Sequence, residues 1–219
     1  TYTGSTASGA LTVGHGLGRK PAWVIIKRRD STGDWIIGHQ GLATNAFQNN
    51  KFLKFASNAM FTNSLVWGAE PTTTVTQIVT NGAGGASNLT SSGTYIMYSW
   101  AEIPGYSRFG KYYGNNTASE GTFIHCGFRP RFFMWKVIGR TGGWGIIDTA
   151  RDPYNDGTDH QLGPDDSDGD GSYEVLDVTS QGIKMRNTYG DTNQNYDHIF
   201  MAFADQPASN PYGGQPNAL

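Results

Sequence analysis

The sequence predicts an all-β protein, an antiparallel β-sandwich of the lectin or jelly-roll kind, built from two divergent tandem repeats. Three observations predict it: the composition, the spacing of short apolar runs, and an internal repeat. Leucine is scarce, at nine of 219 residues, whereas glycine reaches 30 residues and aromatic residues make up 13% of the chain. Strands favour aromatic and β-branched residues, while helices favour leucine, alanine, glutamate and lysine. The composition therefore argues against a helical bundle and against a doubly wound α/β enzyme.

Short runs of β-branched and aromatic residues alternate with Gly, Asn, Ser and Thr turns along the whole chain. This spacing is typical of antiparallel sheets rather than of βαβ units. The run from Arg131 to Val137 is too apolar for alternation, which predicts a central strand buried on both faces. A turn or two of helix is predicted only near 42–48. In chain order, the predicted strands are 9–15, 22–29, 34–39, 50–55, 74–80, 93–102, 121–126, 131–138, 143–148, 172–178, 182–187 and 196–204.

An internal repeat divides the chain into two halves. Ordered matches with small insertions rarely arise by chance, and they predict two copies of one pattern, residues 1–108 and 109–219. The two copies form either separate sandwiches or one shared core. The matches are Pro21–Lys27 with Pro130–Lys136 and Thr32–Ile37 with Thr141–Ile146 at an offset of 109, Tyr2 with Tyr112 at 110, and Ile96–Pro104 with Ile199–Pro207 at 103.

Charge is distributed unevenly along the chain. The net charge is −2, but residues 1–147 carry 13 Lys and Arg against 5 Asp and Glu, whereas residues 148–219 carry 3 against 13. Such a charge dipole could bias how copies pack on a neighbour. No nucleic-acid partner is expected, because the total is nearly neutral and no recognised module is present. No membrane partner is expected either, because every apolar run is short.

The acidic stretch 166–177 follows the twelve-residue calcium loop. Carboxylates at alternate positions can converge on one hard cation, and the glycine at the sixth position permits a sharp turn. The cofactor expected is therefore a structural calcium ion, with a solvated acidic turn as the alternative reading. The predicted ligands are Asp166, Asp168, Asp170, the backbone carbonyl of Ser172, Glu174 and Asp177.

Tryptophans offer a second kind of candidate site, because an indole ring can stack on the face of a sugar. Four of the six recur in both repeats, which favours a role in core packing; they are Trp23, Trp35, Trp135 and Trp144. Trp67 lies outside the clear repeat matches. It is therefore the candidate for an exposed, ligand-binding aromatic side chain.

Catalytic motifs are lacking, so the sequence predicts no enzyme. Glycoside hydrolysis needs two carboxyl groups about 5 to 10 Å apart. Glu102, Asp148 and Asp152 are candidates only because their side chains are carboxylates. The chain has no Gly-x-Ser-x-Gly elbow, and the single cysteine, Cys126, lacks a local catalytic signature. A lone cysteine also rules out an intrachain disulfide.

Nine segments follow one another in a recognisable order: Tyr2–Gly4, Gly16–Asp30, Gly93–Tyr98, Ala101–Gly110, Tyr113–Asn115, Gly127–Pro130, Asp148–Asn155, Met201–Asp205 and the Gly/Pro/Asn-rich tail at 211–218. In this order they resemble a duplicated domain of tailed-phage structural proteins, marine phages among them. The resemblance covers nearly the whole chain, although the stretch 157–177 departs from it in being unusually acidic. It implies a lectin-like sandwich on the virion surface, in a tail fibre or tail tip, and it brings no catalytic residues.

The expected function is thus that of a non-enzymatic phage virion surface protein, a tail-fibre, receptor-binding or attachment module. Its expected partners are other virion proteins, a host surface glycan and further copies of the same chain. Two alternatives stay open at this point. One is a capsid decoration protein, and the other is a carbohydrate-binding module of a secreted or cell-surface protein.

Overall fold

A computed structural model describes residues 1–4, 10–62, 66–79, 93–165 and 167–206, and it contains two compact units. The first unit comprises residues 1–101, and the second begins at Glu102. Within the described residues every strand pairing is antiparallel, and the helical content is one 3-10 turn at Gln40–Leu42. The all-β prediction is therefore confirmed. None of the helical structure described is long and apolar enough to cross a bilayer.

The first unit contains a six-stranded sheet and a separate strand pair. Its strands are β1 (Tyr2–Thr3), β2 (Ala10–Gly14), β3 (Trp23–Arg28), β4 (Ile36–His39), β5 (Lys51–Lys54), β6 (Ser57–Thr62), β7 (Val75–Val79) and β8 (Thr94–Trp100). The sheet has the order β1-β8-β3-β4-β5-β6, while β2 pairs with β7. One buried cluster joins Val24 and Ile26 of β3 to Tyr95 of β8 and Ile78 of β7, with Leu11 of β2 packed against it. The β2–β7 pair thus covers one face of the larger sheet.

The second unit contains a four-stranded sheet, a three-stranded sheet and a short strand pair. Its strands are β9 (Ser107–Tyr113), β10 (Phe123–His125), β11 (Pro130–Val137), β12 (Trp144–Asp148), β13 (Asp159–Gln161), β14 (Gly171–Tyr173), β15 (Leu176–Thr179), β16 (Gly182–Met185) and β17 (Asp197–Ala204). The orders are β12-β11-β17-β9, β10-β16-β15 and β13-β14. Phe133, Trp135 and Phe200 of the larger sheet share one buried cluster with Ile183 and Leu176 of the three-stranded sheet. Apolar burial between these two sheets is the main source of stability in this unit.

The principal sheets of the two units have the same pairing pattern at the offsets of the sequence matches. In the first, β3 lies between β4 and β8; in the second, β11 lies between β12 and β17. Trp23 lies opposite Trp100, and Phe132, 109 residues after Trp23, lies opposite Phe203, 103 residues after Trp100. The strand predicted at 131–138 is therefore central in its sheet, and its residues from Phe133 to Val137 are buried, as expected.

The division between the units differs slightly from the sequence prediction. A boundary at 108/109 would cut through β9, which pairs over seven residues with β17 of the second unit. The division instead falls at Ala101/Glu102, before that strand begins. The helix predicted near 42–48 is a hydrogen-bonded turn after Leu42, in which Asn45 and Asn50 adopt positive φ angles of 50° and 52°.

Candidate functional site

A cleft of about 490 Å³ opens on the second unit, where the β13–β14 pair meets the loops that flank β12 and β17. We call it the tyrosine cleft. Its walls include Arg140, Gln161, Tyr173, Tyr189, Asp191 and Thr192. A volume of this size is typical of clefts that hold small ligands, in which apolar or aromatic surface is combined with a few well-placed polar groups.

Two tyrosines form the aromatic part of the cleft. The rings of Tyr173 and Tyr189 meet edge to face, with centroids 5.6 Å apart and planes at 80°, and the residues are 38% and 55% exposed. The Tyr173 ring lies against Gly171, where an added Cβ would come within 2.9 Å of the ring. Glycine at that position therefore allows the ring to lie along its own strand. The two rings leave aromatic surface open to a ligand.

The loop that carries Tyr189 is held by buried amides. The Asn193 side chain is wholly buried, and its Nδ2 donates to Asn115 Oδ1 at 3.1 Å, to the Thr117 carbonyl at 2.9 Å and to the Asn187 carbonyl at 3.0 Å. Asn187 in turn accepts the Tyr189 amide proton at 3.2 Å. Hydrogen bonds satisfied in this way fix the loop before any ligand arrives, so little ordering entropy is lost on binding.

The polar groups of the cleft are only partly paired. Arg140 Nη1 lies 3.9 Å from Asp191 Oδ1, too far for a hydrogen bond, and its guanidinium lies 5.9 Å from the centroid of the Tyr196 ring. Among the described residues, Gln161 Oε1 and Asp191 Oδ1 are buried without a hydrogen-bond partner. These two oxygens are closed to solvent, so the polar groups that the cleft offers to a ligand are the Arg140 and Asp191 side chains, which are 40% and 44% exposed. Such a combination suits a ligand whose groups both donate and accept.

A histidine–aspartate pair joins His160 of β13 to Asp152, in the turn that follows β12. Asp152 is buried; its Oδ1 lies 2.6 Å from His160 Nδ1, and its Oδ2 accepts the His160 amide proton at 2.9 Å. This hydrogen bond and the carboxylate charge raise the pKa of the half-exposed His160 ring above its ordinary value. Ser172 is the cross-strand neighbour of His160, but no hydrogen bond joins their side chains. The pair orients an imidazole without an adjacent hydrogen-bonded nucleophile.

The three carboxylates considered for hydrolysis each have their own basic partner. Asp148 Oδ2 lies 2.7 Å from Arg151 Nε, and Glu102 Oε1 lies 2.9 Å from Arg108 Nη1. Asp152 is held by the histidine just described. Each of the three carboxylates is therefore engaged by a neighbouring basic side chain.

The predicted calcium ligands are mostly engaged with arginines or with strand pairing. Asp170 Oδ1 lies 2.8 Å from Arg151 Nη1, and Asp177 Oδ2 lies 2.5 Å from Arg186 Nε. Asp166 lies outside the described residues. Within the part of the chain that is described, no three His, Cys, Asp or Glu side chains are grouped to hold a metal. Calcium binding stays a prediction, and an ion there would compete with two guanidinium groups.

The rest of the acidic stretch is extended rather than looped. Ser172 belongs to β14 and pairs with His160, while Asp177 belongs to β15 and pairs with Lys184. The carbonyl of Glu174 accepts a hydrogen bond from Asn187 Nδ2 at 3.1 Å, and Asp168 is exposed. Strand formation separates positions that a calcium loop would bring together, because successive side chains in a strand point to opposite faces.

The expectation that Trp67 is exposed is wrong. Its side chain is 1% exposed, its Nε1 donates to the Lys51 carbonyl at 3.1 Å, and its ring meets Phe47 edge-on at 5.0 Å. An added Cβ at Gly38 would lie 2.7 Å from this indole, so glycine is required beneath it. Trp67 belongs to the first core because residues 66–68 lie alongside β7.

Three of the four repeated tryptophans are buried as expected, and the fourth is not. Trp23 and Trp135 are 0% exposed and Trp144 is 3% exposed, whereas Trp35 is 37% exposed. Sequence reasoning missed Tyr173 and Tyr189 altogether. Tyr173 is hidden inside the acidic stretch, and only the Asn-Thr-Tyr-Gly-Asp turn composition at 187–191 pointed to a loop around Tyr189.

Comparison with known proteins yields one family. A family model described as "Domain of unknown function (DUF7483)" matches residues 1–207. No curated protein and no solved structure matches the chain.

Proposed function

The chain belongs to this family, and we propose that it is a non-enzymatic attachment module of a phage virion, of the tail-fibre or receptor-binding kind, whose tyrosine cleft binds a glycan of the host surface. The observation that carries the proposal is the exposed Tyr173–Tyr189 pair beside the partly exposed Arg140 and Asp191 side chains. The virion setting rests on the sequence resemblance, and the ligand class rests on the cleft.

Sugar hydroxyls match the polar groups of the cleft, because a hydroxyl both donates and accepts hydrogen bonds. One hydroxyl can accept from the Arg140 guanidinium while its neighbour donates to the Asp191 carboxylate, whose side chain is 44% exposed. The apolar face of a pyranose ring can lie on Tyr189, which supplies contact area at a low cost in conformational entropy. The carboxylates of Asp191 and Asp165 nearby disfavour an anionic ligand. We therefore propose a neutral sugar.

The architecture supports an attachment role in which loops are displayed from a rigid frame. We propose that each unit is a small antiparallel β-sandwich and that the two units are divergent copies of one ancestor. The matched strand registers at offsets of 109 and 103 support the duplication, and the shared apolar clusters support a sandwich in each unit. Binding residues commonly lie on loops of such frameworks.

Glycan binding is tested with the full chain on an array of bacterial surface polysaccharides, followed by calorimetry with the glycan that binds best. Tyr189→Ala should weaken binding about tenfold or more, equivalent to about 1.4 kcal/mol. Tyr154→Ala is the matched control, because Tyr154 is 74% exposed and does not line the cleft. It should leave affinity unchanged.

Two results would overturn the proposal: no binding of any glycan by the unaltered chain, or an equal loss of affinity in both tyrosine variants. Antibody labelling of virions in the electron microscope separates a tail position from capsid decoration. Sedimentation of the isolated chain tests the expected self-association.

A further inference from the structure

A third exposed tyrosine, Tyr196, lies just beyond the tyrosine cleft. It directly precedes β17, is 37% exposed, and does not line the cleft. Arg140 does line the cleft, and its guanidinium lies 5.9 Å from the centroid of the Tyr196 ring. The aromatic surface of the cleft therefore continues past Arg140. We call Tyr173, Tyr189, Arg140 and Tyr196, taken in that order, the aromatic row.

Two glycines place the outer half of the aromatic row. A Cβ added at Gly190, the neighbour of Tyr189, would lie 3.0 Å from Arg140 Cζ, so the guanidinium lies directly on the Gly190 backbone. A Cβ added at Gly139 would lie 3.2 Å from the ring of Tyr196, which packs against that turn. Because neither position carries a side chain, Arg140 lies close to Tyr189 on one side and to Tyr196 on the other.

The backbone that carries Tyr196 is held without help from its ring. The Tyr196 carbonyl accepts the Gly114 amide proton at 3.0 Å, and its own amide donates to the Gln194 carbonyl at 2.6 Å. The Tyr189 loop is held by Asn193, as described above. Both ends of the aromatic row are thus formed before a ligand arrives, so a ligand that spans them pays little ordering entropy.

Arg140 divides the aromatic row into two platforms. Tyr173 and Tyr189, with ring centroids 5.6 Å apart, form the platform inside the cleft, and Tyr196 forms the platform outside it. A sugar ring that lies on Tyr189 does not reach Tyr196, because the guanidinium stands between the two rings. The row therefore offers aromatic surface to two different sugar residues.

The guanidinium between the platforms keeps donors available to a ligand. Its contact with Tyr196, at 5.9 Å, lies at the outer limit of a cation–π interaction, and the Arg140 side chain is 40% exposed. A guanidinium carries five N–H donors in a planar fork. Donors of Arg140 can thus reach oxygens of two successive sugar residues, one on each platform.

We propose that the aromatic row is an extended site with two sugar subsites, and that its ligand is a stretch of several residues of a neutral polysaccharide rather than a single sugar. One sugar lies on Tyr189 in the cleft, and a later sugar of the same chain lies on Tyr196. This inference rests on the proposed function and adds a second subsite to it. Affinity rises when both subsites are filled, because the second contact forms at a high effective concentration.

The test uses the full chain and oligosaccharides of one to four sugar residues, cut by partial acid hydrolysis from the bacterial polysaccharide that binds best on the array. NMR titration, which also measures weak binding, should show affinity rising about tenfold or more from one residue to four. Tyr196→Ala should remove most of that rise and change the affinity for the single sugar less than about twofold. Tyr196→Phe is the matched control: it keeps the ring, so the rise should persist. Tyr189→Ala should weaken binding at every length.

The same spectra locate the second subsite without any substitution. The ring protons of Tyr196 should shift with the four-residue oligosaccharide but not with the single sugar, whereas those of Tyr189 should shift with both. An affinity that does not depend on length, a rise that survives in Tyr196→Ala, or an unmoved Tyr196 ring would overturn the second subsite and leave the proposed function standing. Failure of every array glycan to bind would overturn the proposed function, and this inference with it.

Discussion

The Lys136 ammonium donates a hydrogen bond to the Gly142 carbonyl at 2.5 Å from a position with 0% exposure. The same group donates to the Val137 carbonyl at 2.9 Å and lies 6.0 Å from the centroid of the Trp144 ring. It thereby closes the turn between β11 and β12. In the first unit, Lys27 makes the corresponding bond to the Gly33 carbonyl. A buried cation therefore fastens the central hairpin of the second sheet.

Stability should rise with pH in the alkaline range because of Lys136. Burial lowers the pKa of the Lys136 ammonium to about 8, although nearby Asp191 and Asp165 oppose the shift. Between about pH 8 and the unfolded value near 10.4, the unfolded chain binds one more proton than the folded chain. The free energy of unfolding should therefore increase, by up to about 3 kcal/mol over the whole range. Urea denaturation at intervals from neutral pH to about pH 9.5 measures the slope.

Lys136→Met should abolish that slope, since methionine does not titrate. Lys27→Met is the matched control, because it replaces the half-buried equivalent and leaves Lys136 in place. If the free energy of unfolding of Lys136→Met still rises with pH in the alkaline range, the slope does not come from Lys136.

Trp67→Ala should destabilise the first unit strongly. Removal of a wholly buried indole loses its apolar contacts and leaves a cavity, at a cost of about 3–5 kcal/mol. Trp35→Ala, at a tryptophan 37% exposed, should cost much less. Chemical denaturation followed by circular dichroism compares the two. Similar losses in both variants would mean that Trp67 does not pack as described.

Asn193→Ala should loosen the loop that carries Tyr189 and so disturb one wall of the tyrosine cleft. The substitution removes the three hydrogen bonds that Nδ2 donates and the two that Oδ1 accepts from the Asn115 and Thr122 amides, and it leaves the carbonyl of the buried Asn187 without this donor, so a loss of about 2–3 kcal/mol in the free energy of unfolding is expected. The Tyr189 loop should also become mobile, which should lower glycan affinity at a temperature where the variant is still folded. Hydrogen exchange at residues 187–193 follows the loop directly. Unchanged exchange there would refute the role of Asn193 as the fastening residue.

His160 should titrate above an ordinary histidine. Its hydrogen bond to Asp152, with the carboxylate charge, raises the folded pKa. The resulting stabilisation is fully present below the unfolded value of about 6.5 and is lost as pH rises through the folded pKa. Asp152→Asn should lower the NMR titration midpoint of His160 towards the unfolded value and remove this pH dependence of melting. A midpoint that does not move would exclude the pair as its cause.

Much of the strand pattern could be predicted from local sequence. The apolar runs at 22–29 and 131–138 correspond to β3 and β11, and 196–204 corresponds to β17. The outer strands β6 and β9 were missed, because edge strands are half-exposed and their polar residues resemble turns. The predicted strand at 172–178 proved to be two strands with different partners, β14 and β15. The strand propensity of a segment does not show where along it the pairing partner changes.

The sequence by itself determined the all-β class, the central strands and the pattern that repeats at offsets of 109 and 103, since these follow from composition and from residues near one another in the chain. Only the tertiary structure decided which aromatic residues are exposed. Trp67 is buried because Gly38 of β4 and Phe47 lie against its ring, while Tyr173 and Tyr189 are exposed together because strand β14 and a separate loop converge. Exposure depends on contacts between segments far apart in sequence, and a strand propensity does not specify what will pack on each face.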